Sequence, residues 1–121
     1  MSDRLTEHFS RREFLASETA ARRGIENVPG DTEWANMVAL CETCLEPARV
    51  ALGPLHINSG YRCPALNQAI GGAVGSQHIR GEAADVIPLR GALSDLFSWL
   101  HGNVPFDQLI WEFAAWVHIS H

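Results

Sequence analysis

A histidine and an aspartate stand seven residues apart in SQHIRGEAADV, Ser76 to Val86, with a glycine and two alanines between them. His78 and Asp85 admit three readings: a structural ion pair, a solvated pair, or two ligands of one metal ion. Spacing alone leaves all three open. Local composition weighs toward a metal, because Gly75, Gly81, Ala83 and Ala84 leave room for backbone to close around a compact site. A third imidazole, His118, lies in WVHIS, a strand-like run in which a histidine is costly to bury without a partner. Two imidazoles and one carboxylate suit a tetrahedral zinc whose fourth position is left to water, the arrangement of hydrolytic rather than structural sites. Against it stands the plainer alternative of buried histidines satisfied by hydrogen bonds.

Other candidate groups carry less. The three cysteines are an odd number, and CETC at 41–44 sits inside a helical pattern, so reduced thiols packed in a core are expected. A structural zinc on Cys41, Cys44 and Cys63 lacks an evident fourth ligand, and a thiol-based regulatory role has no further support. His8, His56, His101 and His121 have no supporting pattern, and His121 has the opposite strand parity to His118.

The elements that must position these residues begin from a chain of 121 residues, 46% hydrophobic and 19% charged, the size and composition of one soluble domain spanning 1–121. A net charge of −5, with arginines 11, 12, 22 and 23 gathered near the start, speaks against nucleic acid as a partner. No run is long enough to span a membrane and no secretory signal precedes the first charged residues. A monomer made in the cytoplasm is the expectation.

Ser10 and Glu13 predict a capped helix from Ser10, with a second turn from Ser17 to Gly24, in an N-terminal segment 1–30 packed on the main body. Trp34, Met37, Val38, Cys41, Leu45, Ala48 and Leu52 recur at helical spacing, capped by Asp31 or Thr32 and ended by Gly53, with a kink or break near 43–46 caused by Pro47. LHINSGY, 55–61, alternates as a strand. Pro64 opens a short helix closed by Gly71 and Gly72, and AADVI enters a strand ended by Pro88. Leu93, Leu96, Phe97 and Leu100 share a helical face, stopped by Gly102 and Asn103. DQLIWE and AWVHIS read as a closing hairpin around Phe113 and Ala114. Together these predict an α+β fold, a small antiparallel β-sheet with helices packed on one side.

Three segments, SGYRCPALN, GSQHIRGEAADV and DQLIWEF with WVHIS, resemble in that order those of the zinc D-Ala-D-Ala carboxypeptidases, the peptidase M15 family that also includes phage endolysins. HFSRREFLASETAARRGI and CLEPAR are similar to its short, single-domain branch. The resemblance implies a hedgehog/DD-peptidase-like fold and a zinc held by His78 and Asp85, from the pattern S-x-H-x-x-G-x-A-x-D, and by His118, from W-x-H. It implies hydrolysis of peptide bonds in peptidoglycan stem peptides, in which bound zinc lowers the pKa of water from about 16 to near 7.

A carboxylate must then move the proton. The best-known family pattern has a glutamate three residues before the last histidine, where this chain has Ala115. Glu112 resembles the short branch's L-I-x-E-F segment and is the expected base, provided 113–115 form the hairpin turn that brings it to face His118. Arg62 matches the family arginine that faces the substrate, its fork suited to a carboxylate or a developing oxyanion. Ser76 and Gln77 are expected to bond substrate or to support the ligands, and Asn67 to fix a turn. Tyr61, Trp111 and Trp116 could line the cleft, although aromatics in strands are more often core. The family setting implied is a phage or prophage lytic enzyme released at lysis, or a virion-associated one. Ala115 also keeps a non-catalytic, zinc-containing binding module of the same fold in play.

Overall fold

The computed structural model describes residues 3–121. Its opening helices form where their caps predict. Ser10 Oγ accepts the Glu13 N–H at 3.2 Å to start α1 (Arg11–Leu15), and Ser17 Oγ accepts the Ala20 N–H at 3.2 Å to start α2 (Glu18–Arg23), which Gly24 ends in the left-handed conformation. Phe9 and Phe14 drop from this segment into the core. The Glu46 carboxylate ties it down further, accepting the His8 N–H at 2.8 Å and the Thr6 hydroxyl at 2.6 Å and facing His8 Nδ1 at 2.6 Å.

Helix α3 (Asp31–Leu40) begins one or two residues earlier than Asp31 or Thr32 as cap would have it: Gly30 is the cap. The long Glu33 side chain reaches back to accept the Gly30 N–H at 2.9 Å, so Asp31 lies already inside the first turn. The break expected from Pro47 takes the form of a π turn, Cys41–Leu45, in which the Glu46 N–H bonds the Cys41 carbonyl. Proline has no N–H and its ring crowds the carbonyl four residues back, at Thr43; a widened turn accommodates both before α4 (Glu46–Leu52) resumes.

Strand β1 (Leu55–Ser59) is two residues shorter than the alternation suggested. The chain leaves the sheet at Gly60 because the Tyr61 N–H bonds the Phe14 carbonyl of α1 at 2.9 Å. Then follow α5 (Pro64–Ala69), a 3₁₀ turn (Gln77–Arg80), β2 (Ala83–Pro88), α6 (Leu93–Asn103), β3 (Gln108–Glu112) and β4 (Trp116–Ser120). Gly102 and Asn103, expected to stop α6, lie in its last turn, where the Asn103 amide donates to the Trp99 carbonyl at 2.9 Å; Val104 ends the helix.

The four strands form one antiparallel sheet in the order β1-β2-β4-β3, so the α+β class is as expected. Alternation then sorts the side chains. Ile57, Ala84, Val86, Val117 and Ile119 join the core with Met37, Leu40, Leu45, Leu96 and Leu100 from α3, the π turn and α6. Each large aliphatic side chain buried there contributes roughly 1.5–3 kcal/mol. Asp85 and His118 occupy the alternate positions and take the opposite face. Among the described residues no helix is long and apolar enough to cross a membrane.

Candidate metal centre

Register brings two of the three candidate ligands together: Asp85 on β2 lies directly opposite His118 on β4. The third arrives on the 3₁₀ turn. Ser76 Oγ caps that turn by accepting the His78 N–H at 3.2 Å, and Gly81 ends it at φ 74°, where a Cβ would collide with the Glu33 carbonyl of α3. A glycine is therefore required to seat this turn against α3.

His78 Nε2 lies 3.3 Å from Asp85 Oδ1, and His118 Nδ1 lies 3.0 Å from the same oxygen. The three donor atoms fall within 4.8 Å of one another, and all three residues are buried. His78 Nδ1 is 2.7 Å from the Gly60 carbonyl oxygen. A carbonyl can only accept, so Nδ1 carries the proton and Nε2 directs its lone pair at Asp85. Lone pair against carboxylate is repulsive unless a cation lies between them, either a second proton on the imidazole or a metal ion. Bonds of 2.0–2.2 Å from a tetrahedral zinc place its ligand atoms about 3.3 Å apart, close to the separations found here, so the donors fit this metal. Burial works to raise the Asp85 carboxyl, yet the His118 and His78 imidazoles beside it, in their cationic forms, prevail and hold it at about 2. The carboxylate is thus ionised, as a ligand must be.

Arg62 supports both ligand-bearing segments. Its backbone N–H bonds the His78 carbonyl at 3.1 Å, and its guanidinium reaches Ser59 Oγ at 3.1 Å, Asn67 Oδ1 at 3.2 Å and Asp85 Oδ2 at 3.5 Å. Burial lowers its pKa, with Asp85 and Glu112 opposing that shift. Glu112 closes β3 opposite Trp116, across a turn in which Phe113 and Ala114 both adopt φ 54°. Its Oε1 stands 4.0 Å from His118 Nδ1, at the edge of the ligand triangle. Ala115 is exposed in the turn.

Gln77 turns its amide to Asp107 at 3.0 Å and Glu82 at 3.5 Å, while Ser76 is engaged as the cap of His78. Tyr61 is buried in the core, Trp111 packs edge-on against Phe97 of α6, and Trp116 packs against Phe113. Cys41 and Cys44 are buried, and burial pushes both thiols up, Cys44 to about 11. Among the described residues the cysteines join no metal-binding group. Sequence reasoning passed over Ser59 and the Gly60 carbonyl. Their signal was their place in SGYR, directly before Arg62, but only the exit of β1 shows that this backbone turns toward His78.

A four-stranded antiparallel sheet thus carries, on the face turned away from the core, a buried His-Asp-His triangle whose donor atoms could hold a metal ion. The sequence model of the peptidase M15 family matches residues 7–120, and the chain belongs to that family. Its members are peptidases, so the chain falls in the hydrolytic class. The curated proteins contain no significant match to it.

Proposed function

We propose that the protein is a zinc-dependent peptidase that hydrolyses amide bonds of peptidoglycan stem peptides, as a D-Ala-D-Ala carboxypeptidase or an endopeptidase. The observation that carries this reading is the convergence of His78 Nε2, Asp85 Oδ1 and His118 Nδ1 beside the Glu112 carboxylate. Those three atoms would hold a zinc ion, whose chemistry there would be that of a Lewis acid toward the scissile carbonyl and water.

The chain's own groups do the rest. Glu112 takes a proton from the attacking water as the water oxygen bonds to the carbonyl carbon. It returns that proton to the amide nitrogen as the C–N bond breaks, leaving a carboxylic acid and an amine. Arg62 has five N–H groups, and three are engaged by Ser59, Asn67 and Asp85. Two remain for a substrate carboxylate or the developing oxyanion. A cavity of about 640 Å³ runs from Arg62 between α2 and β1, lined by His56, Asn58, Ser59 and Tyr61 among others. None of the three ligand residues lines it, so it offers room for the peptide beyond the scissile bond, with Arg62 as the link. Action on the wall after release by phage or prophage lysis, or from a virion, is part of the same reading by family analogy.

Digestion of purified muropeptides by the zinc-loaded protein, with products read by mass spectrometry, tests the proposal. Stem peptides shortened by hydrolysis are expected, and intact peptides at full zinc occupancy would refute it.

A further inference from the structure

We propose that Asn67 is a positioning residue for the metal-binding carboxylate, holding the Arg62 guanidinium in the one orientation that engages the outer oxygen of Asp85. The inference rests on the metal reading of His78, Asp85 and His118.

Asn67 is only 3% exposed, and its side-chain amide has a fixed sense. Nδ2 donates to the Ala73 carbonyl at 2.9 Å, an atom that can only accept, so Oδ1 is the atom that faces Arg62 and accepts from it at 3.2 Å. Ser59 Oγ holds the Nε of the same guanidinium at 3.1 Å. With Nε and one terminal nitrogen both fixed, the planar fork has no rotational freedom left, and its other terminal nitrogen falls 3.5 Å from Asp85 Oδ2. That contact leaves Oδ1 alone to face both imidazoles. Asp85 is thereby kept as a single-oxygen ligand of set orientation.

Gly72 gives independent support. Its N–H bonds the Asn67 carbonyl at 2.9 Å, and a Cβ at Gly72 would overlap Asn67 Oδ1 and come within 3.1 Å of the Arg62 terminal nitrogen. The loop after α5 is therefore cut away to admit this one hydrogen bond. Asn67 makes no hydrogen bond to His78, Asp85 or His118; its polar link to the metal site passes through Arg62.

Zinc affinity measured by chelator competition on wild type, Asn67→Ala, Arg62→Ala and the double variant tests this, with no reliance on turnover. Asn67→Ala should weaken zinc about tenfold or more, as loss of an outer support does. In the Arg62→Ala background the same substitution should change affinity by less than about twofold, because the two residues act as one unit. Gly72→Ala, which deletes no hydrogen-bonding group, should shift affinity in the same direction and replaces Asn67→Ala in the cycle if that variant does not fold. Unchanged affinity in Asn67→Ala, or losses that simply add in the double variant, would overturn the proposal and leave the metal site standing. A wild-type protein that takes up no zinc would overturn both.

Discussion

The Nδ1–H of His78 is donated to the carbonyl oxygen of Gly60 at 2.7 Å, which leaves Nε2 to face Asp85. That bond joins the protonation state of a proposed metal ligand to the point where β1 leaves the sheet. Phe14 guards the same point, since a Cβ on Gly60 would lie 2.7 Å from both its ring and its carbonyl oxygen. Gly60→Ala should therefore displace α1 and the carbonyl together, costing about 1–3 kcal/mol of stability through overpacking. Chemical denaturation of the metal-free variant measures the first effect and zinc titration the second. Wild-type values in both would show that the close approach is unimportant.

Metal removal should loosen the fold. Three buried donors around one site leave a charge and lone pairs uncompensated when the cation is withdrawn. At zinc a hundredfold above its dissociation constant, binding to the native state alone adds about 2.7 kcal/mol. The unfolding midpoint should rise with zinc and fall with chelator, and His118→Ala should abolish the response. A midpoint indifferent to zinc would contradict this.

Acid should release the N-terminal segment. Burial works to raise the Glu46 carboxyl, but the hydrogen bonds of Thr6 and His8 and the charge of His8 outweigh it, leaving the group below its ordinary 4.5. A native value below the unfolded one gives stability that is fully present above about pH 4.5 and is lost as pH falls through the lower native value. Because the pair is partly open to solvent, its worth is on the order of 1 kcal/mol. Glu46→Gln should lower stability at pH 7 and flatten the acid limb in paired denaturation series. Identical limbs would argue against it.

Thiol chemistry should leave the site untouched. Cys41 and Cys44 are fully buried and Cys63 is partly exposed, so alkylation of the native protein should mark Cys63 first. Zinc content should survive that modification. Loss of zinc on labelling Cys63 would revive a cysteine-based metal site.

Much of this was legible in the sequence because it depends on local pattern. Ser10 and Ser17 announce their helices, the alternation of Leu55, Ile57 and Ser59 announces a strand, and Pro47 announces a break. Residue chemistry grouped His78, Asp85 and His118 as one possible zinc triad, but it left an ion pair or satisfied buried histidines open, and the family resemblance decided for the metal. What could not be read depends on contacts between distant segments. Gly30 displaces Asp31 as a cap only because Glu33 folds back, β1 stops at Ser59 only because the Phe14 carbonyl claims the Tyr61 N–H, and α6 runs through Gly102 because Asn103 closes its last turn. Likewise the three-way grip on Arg62 by Ser59, Asn67 and Asp85 spans two loops and a strand, which no linear pattern reports.

The central claim is that Glu112 works as a proton carrier beside a zinc held by His78, Asp85 and His118. The most direct test compares wild type with Glu112→Gln, each loaded with zinc and assayed for metal content and for muropeptide hydrolysis by mass spectrometry. The account predicts equal zinc in both proteins, with turnover in the variant lower by about 10²–10⁴-fold, as expected for loss of a general base. Equal turnover in the two proteins, or no hydrolysis by fully loaded wild type, would contradict it.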